Sequence, residues 1–281
     1  MTDNIIFISY PSGGFGNFVY HVVSNYFANT HKVSTQDFAF DALGTSHATH
    51  KYLATWFHDP DNYTLDFESE KTLVLLVDNG INNDSYVKLR SVFKQGIIIR
   101  LNIDELSKPV VYKTAVIKAM GSDLISDIKN VVEDNWTDSS EDYALRENFT
   151  LFYKNWPFRW RPVENVVNIN ISDLISNPLN TFEYIANAIQ DEIINVSELT
   201  KLIHDWKVSN KQYFDIIEIW KIIENALNSE IHIELPDLQL HDQGYINYCI
   251  ERKYNVIIPV YDYRNWFQSS TDIQEMIKCL K

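Results

Sequence analysis

Four short apolar runs punctuate the chain, at 4–9, 72–78, 97–102 and 165–171. Thr72-Leu73-Val74-Leu75-Leu76-Val77-Asp78 and Ile97-Ile98-Ile99-Arg100-Leu101-Asn102 show the type: an aliphatic core closed by a polar residue. Runs of this length, apolar on both faces, read as strands buried between helices. Between them the period changes to that of a helix. Phe18, Val22, Val23, Tyr26 and Phe27 form one stripe within 17–29, and Tyr86, Leu89 and Phe93 form another within 84–94. This alternation predicts crossover connections and an α/β fold with a doubly wound, mainly parallel sheet.

The rest of the chain reads as helical. Segment 110–160 ends in the aromatic cluster Phe152, Tyr153, Trp156, Phe158 and Trp160, and 172–189 is a helix that Ser172 is placed to cap. From about 195 onward, helices carry Leu202, Ile203, Trp206, Ile216, Ile217, Trp220 and Ile223, and an extended stretch at 255–261 precedes a last helix. With no internal repeat and no low-complexity linker, the expectation is a single domain over 1–281, with its core at 4–190 and a helical C-terminal part at 191–281. In a sheet of this kind ligands lie beyond the carboxyl ends of the strands. Residues 10–16, Asp78 with Asn79-Gly80, and Arg100 then share one crevice.

Composition narrows the partners. A chain of 281 residues that is 45 % hydrophobic can bury a large core, and its formal charge of −14 argues against binding nucleic acid without regard to sequence. An anionic ligand must be held by a few local cations and backbone amides. Cys249 and Cys279 form no metal or disulfide spacing, so no metal site is expected. No basic leader precedes the first strand, and no apolar run approaches the roughly 20 residues that span a bilayer. The expectation is a soluble, cytoplasmic protein without membrane association; the sequence does not set its oligomeric state.

The turn Ser12-Gly13-Gly14-Phe15-Gly16-Asn17 lies between the first strand and the first helix. Glycines there let backbone amides turn toward an anion, and the helix adds the positive end of its dipole. The alternative is a turn whose glycines serve close packing. The loop of nucleoside triphosphatases, with its GK[ST] ending, is absent, since Asn17 and Phe18 follow the last glycine.

Three segments, taken in order, resemble the sulfotransferase family. That family's loop reads approximately P-K-S-G-T-T-W, and Pro11-Ser12-Gly13-Gly14-Phe15-Gly16-Asn17 matches its Pro and its glycine. The stretch from Asn168 to Ala186 is similar to the family's late strand-to-helix segment, with Ser172-Asp173-Leu174 and Asn177-Pro178 at the matching positions. Arg100 at the end of a middle strand, with Ser107 seven residues on, resembles the family's 3′-phosphate site. The resemblance implies a P-loop-like fold and a cofactor, 3′-phosphoadenosine 5′-phosphosulfate (PAPS), that leaves as the 3′,5′-bisphosphate (PAP). It implies that Ser12, Gly13, Gly14, Phe15, Gly16 and Asn17 hold the 5′-phosphosulfate, that Arg100 and Ser107 hold the 3′-phosphate, and that a small-molecule or glycan acceptor receives the sulfuryl group on a hydroxyl or amine. Ser12 stands where the family has its loop lysine, and Phe15 and Gly16 stand where it has two hydroxyls.

Such a transfer wants a base for the acceptor proton. Gly44-Thr45-Ser46-His47-Ala48-Thr49-His50-Lys51-Tyr52-Leu53 is similar to the family's Thr-His-Leu turn, so His50 and His47 are candidates, and strand order offers Asp78 as a third. Each histidine is otherwise a surface residue. Arg100 either meets a phosphate or pairs with Asp104 or Asp78, because a buried guanidinium demands an anion. The aromatic cluster at 152–160 with Arg159 and Arg161 is either a lid or core packing. The rivals to sulfuryl transfer are a catalytically degenerate phosphonucleotide-binding protein and a structural or interaction protein, viral in one version, that keeps the fold.

Overall fold

The computed structural model describes residues 5–11, 14–32, 72–78, 96–108, 110–111, 114, 166–238, 240–258 and 266–281. The chain divides into two compact units, Met1–Lys118 with Phe158–Lys211, and Ala119–Pro157 with Gln212–Lys281.

The first unit is built on a parallel sheet. Strands β1 (Ile5–Tyr10), β2 (Thr30–Lys32), β3 (Thr72–Asp78), β4 (Ile97–Asn102) and β5 (Val167–Asn170) stand in the order β2-β3-β1-β4-β5. Every pairing is parallel. The four apolar runs of the sequence are four of these strands. β2 carries no such run: its three residues Thr-His-Lys extend the sheet by backbone pairing to β3. β1 lies at the centre and every one of its residues is buried, which is why it is aliphatic on both faces. At the end of β3 only the backbone of Asp78 is described, and it stands in register opposite Tyr10.

Helix α1 (Gly16–Tyr26) follows β1, and its stripe of Phe18, Val19, Val22 and Val23 is buried. The C-terminal end of α1 is closed by Thr30, whose hydroxyl donates to the Val23 and Phe27 carbonyls. Beyond β5, helix α2 (Ile171–Ser176) and helix α3 (Pro178–Ile189) replace the one helix expected over 172–189. The break is Asn177-Pro178: proline bars a hydrogen bond from its own nitrogen and fits the first turn of a new helix. Ser172 does not cap α2, since Asn170 holds the cap position and the Ser172 amide donates to Asp104 Oδ1 at 3.3 Å. Helix α4 (Val196–Ser209) completes the unit and carries Trp206, which has no exposed surface. The Trp206 ring lies flat on Phe18, with centroids 4.1 Å apart and planes 2° apart, and meets Phe15 edge-on at 5.4 Å.

The second unit contributes, among its described residues, helix α5 (Lys211–Ser229) from Gln212 onward, helix α6 (Leu240–Tyr254) and helix α7 (Ser270–Leu280). Ser269 begins α7 with a reciprocal cap, accepting from the Asp272 amide while Asp272 accepts from the Ser269 amide. No helix among the described residues is long and apolar enough to cross a membrane.

Replacing Trp206 by alanine removes the ring that Phe15 and Phe18 share, and chemical denaturation should show a loss of about 3–5 kcal/mol. Burial raises the Tyr20 pKa from 10.0 to about 12, with a hydrogen bond from Ser24 opposing it. The fold favours the neutral phenol, so this contribution is whole below pH 10 and is lost as pH climbs toward 12. Alkaline unfolding curves should steepen over that window by roughly 2–3 kcal/mol, and Tyr20→Phe should flatten them.

Candidate functional site

The carboxyl edge of the sheet gathers the polar residues that end its strands. Ser9 pairs in register with Arg100, Arg100 with Asn168, and Asn102 with Asn170. Neighbours in register share a face, so Ser9, Arg100 and Asn168 form one row across three strands. Tyr10, the next residue of β1, turns to the opposite face.

The turn after Tyr10 is governed by packing at two of its glycines. A Cβ on Gly16 would run into the Tyr10 ring. One on Gly14 would come within 2.7 Å of Pro11 Cγ and 2.8 Å of the Pro11 carbonyl oxygen. The Gly14 amide donates to that same carbonyl at 2.8 Å, so it closes the turn rather than facing a ligand. Phe15 then takes a left-handed conformation at φ 59°, ψ 25° and becomes the N-cap of α1 without offering a side-chain acceptor. Such a conformation costs a non-glycine residue about 1–2 kcal/mol. Full burial of the phenyl ring returns about 1.5–3 kcal/mol, and its contact with Trp206 adds to that, so packing wins.

Phe15 consequently fills the space beneath the turn. Gly16 is the first residue of α1 and is buried, and among the described residues its amide donates to no acceptor. Asn17 is wholly buried beside it. Ser12 and Gly13 lie outside the described residues, as do His47, His50 and the cluster at 152–160.

Arg100 is 3 % exposed, and burial pulls its pKa below the ordinary arginine value. Its expected partner Ser107 belongs to a different arrangement. The Ser107 hydroxyl donates to the Asp104 carboxylate and accepts from the Asp104 amide at 3.0 Å. The amides of Ser107 and Lys108 bond back to the Asp104 carbonyl, each at 3.1 Å. Asp104 and Ser107 thus cap the helical turn that follows β4, and Asp104 also reaches the Ser172 amide. That role uses the serine hydroxyl twice, and Ser107 has no exposed surface. Asp104 is committed to this cap and to α2, and no ion pair joins it to Arg100. Sequence spacing found the seven-residue interval; it had no means to show that the Ser107 hydroxyl is committed to Asp104.

A second polar surface lies on the flank of β5, and sequence reading missed it. Asn168, Ile169, Asp173, Asn177, Asn180, Thr181 and Tyr184 line a cavity of about 360 Å³. Asn102 Nδ2 donates to Asn168 Oδ1 at 3.1 Å, and Asn170 Nδ2 donates to Asp173 Oδ2 at 3.1 Å. The signal was available: Asn177, Asn180, Thr181 and Tyr184 repeat at the spacing of one helix face. Among the described residues, no group of three or more His, Cys, Asp or Glu is placed to hold a metal ion.

Gly16→Ala should cost about 1–3 kcal/mol in denaturant unfolding, because the new methyl overpacks the Tyr10 ring. Ser107→Ala should cost about 1 kcal/mol through loss of the cap.

No family model, curated protein or solved structure matches the chain.

Proposed function

We propose that this chain is a sulfotransferase-like protein whose doubly wound, P-loop-like sheet binds a 3′-phosphorylated adenosine nucleotide, PAPS or PAP, across the carboxyl edge of β1 and β4. The observation that carries the reading is the Gly16 amide, buried at the first position of α1 with no acceptor among the described residues. A buried backbone donor left without an acceptor is rare, and a helix N-terminus favours an anion. One strand away, buried Arg100 supplies a cation on the opposite face of the sheet. Two anchors on two faces suit a ligand with two separated anionic groups better than a single phosphate. With a net charge of −14, recognition has to be this local.

A second reading adds transfer. The register of β1 with β3 puts Asp78 opposite Tyr10, next to the turn, where a carboxylate would serve as base. The acceptor oxygen or nitrogen would attack sulfur, the bond from sulfur to the 5′-phosphate oxygen would break, and Asp78 would take the acceptor proton. His47 and His50 are the other candidates for that proton. No lysine stands in residues 11–17 to neutralise the leaving oxygen, and loss of such a cation costs several kcal/mol of transition-state stabilisation. Binding is therefore favoured over rapid turnover.

Calorimetry with PAP should show saturable binding, weakened about ten- to a hundredfold in Arg100→Ala, the usual worth of a charge-assisted hydrogen bond. Thermal unfolding of the variant separates lost affinity from lost fold. Absence of heat, or equal affinity in a folded Arg100→Ala protein, overturns the binding reading. Release of PAP from PAPS in the presence of hydroxyl or amine acceptors, reduced in Asp78→Asn, distinguishes transfer from binding alone.

A further inference from the structure

The cavity on the flank of β5 is independent of the nucleotide reading and has its own chemistry. Helix α3 lays two faces side by side. Pro178, Phe182, Ile185 and Ala186 are buried against the unit, while Asn177, Asn180, Thr181 and Tyr184 line the cavity. Its volume of about 360 Å³ falls at the small end of the range of about 300–1,000 Å³ usual for small-molecule sites. Ile169, 3 % exposed, gives it an apolar element, and Asn168 gives it a polar wall already fixed by bonds to Asn102 and the Val166 carbonyl.

The groups left for a ligand are the informative ones. Among the described residues the Asn180 amide and the Tyr184 hydroxyl make no hydrogen bond, and Tyr184 is 54 % exposed. Asp173 accepts from Asn170 through one oxygen only, leaving the other available. The lining therefore offers an amide that both donates and accepts, a phenol that does the same, a carboxylate that accepts, and a ring face. Among the described residues it contains no lysine, arginine or histidine, and Asp173 would repel an anion.

From this inventory we infer that the α3 cavity binds a neutral, hydroxyl-rich small molecule of monosaccharide size. Each sugar hydroxyl donates and accepts at once, which matches paired amide and carboxylate groups. The C–H face of a pyranose covers an aromatic ring that would otherwise stay wet. The polar groups are held rigidly: Asn168 is tied by its neighbours, Asp173 by accepting from Asn170, and Thr181 by donating to the Asn177 carbonyl at 3.0 Å. Preorganisation of this kind lowers the cost of ordering on binding.

Saturation-transfer NMR on the full chain tests it, with glucose, galactose, mannose and N-acetylglucosamine as probes and glucuronate, glucose 6-phosphate and adenosine as comparisons. At least one neutral sugar should receive saturation and titrate to a plateau, with weaker transfer to the two anions. Tyr184→Ala and Asn180→Ala, both at exposed positions that leave the core intact, should each weaken that sugar at least tenfold, while Gly16→Ala should leave it unchanged in the folded protein. Transfer to none of the four sugars overturns the inference. So does transfer that persists in the Tyr184→Ala, Asn180→Ala double variant, or transfer to adenosine in preference to every sugar.

Discussion

The contact between Gly16 and the Tyr10 ring sets the geometry at the head of the sheet. The chain must leave the central strand, reverse, and start a helix within six residues, and the ring leaves no room there for a side chain. Phe15 therefore turns left-handed, and that turn drives its phenyl group onto Trp206. Trp206 belongs to α4, nearly two hundred residues later in the chain. An element late in the sequence thus holds the first turn in place, and the strained backbone persists because aromatic burial outweighs it.

That arrangement also decides what the turn can offer a ligand. A cradle of several inward amides would need each of them unspent, but the Gly14 amide already closes the turn onto Pro11. What the turn keeps unspent among the described residues is narrower: one buried amide at the start of α1, with the buried Arg100 on the neighbouring strand. The polar residues around the ends of β4 and β5 serve mostly the architecture: Asn102 bonds Asn168 across the two strands, while Asp104 and Asn170 reach the Ser172 amide and the Asp173 carboxylate of α2. Binding and architecture draw on the same residues, which is the expected condition at the end of a parallel sheet.

Strands with long aliphatic runs were legible because burial on both faces leaves no other pattern, and β1, β3 and β4 stand within a residue or so of their sequence limits. β2 was not, since Thr30, His31 and Lys32 carry no periodic signal and are strand only because β3 lies beside them. The split of α2 from α3 was written in Asn177-Pro178 but masked by continuous apolar periodicity across it. Among site residues, Arg100 was legible as a cation in an apolar strand; it is buried, and β4 runs two residues beyond it to Asn102. Ser107 misled, because spacing alone does not reveal that a hydroxyl is already committed to Asp104. The Tyr184 cavity escaped notice because its signal, the helical spacing of Asn177, Asn180, Thr181 and Tyr184, reads like the solvated face of any amphipathic helix.

The most direct measurement is a titration of isotopically labelled protein with adenosine 3′,5′-bisphosphate, followed through backbone amide and arginine side-chain resonances. Saturable shifts should concentrate at Gly16, Asn17 and the Arg100 guanidinium, with Gly14 and Ser107 less affected because their groups are already bonded. A spectrum that does not move, or one whose shifts gather away from the ends of β1 and β4, would contradict nucleotide binding at this edge of the sheet.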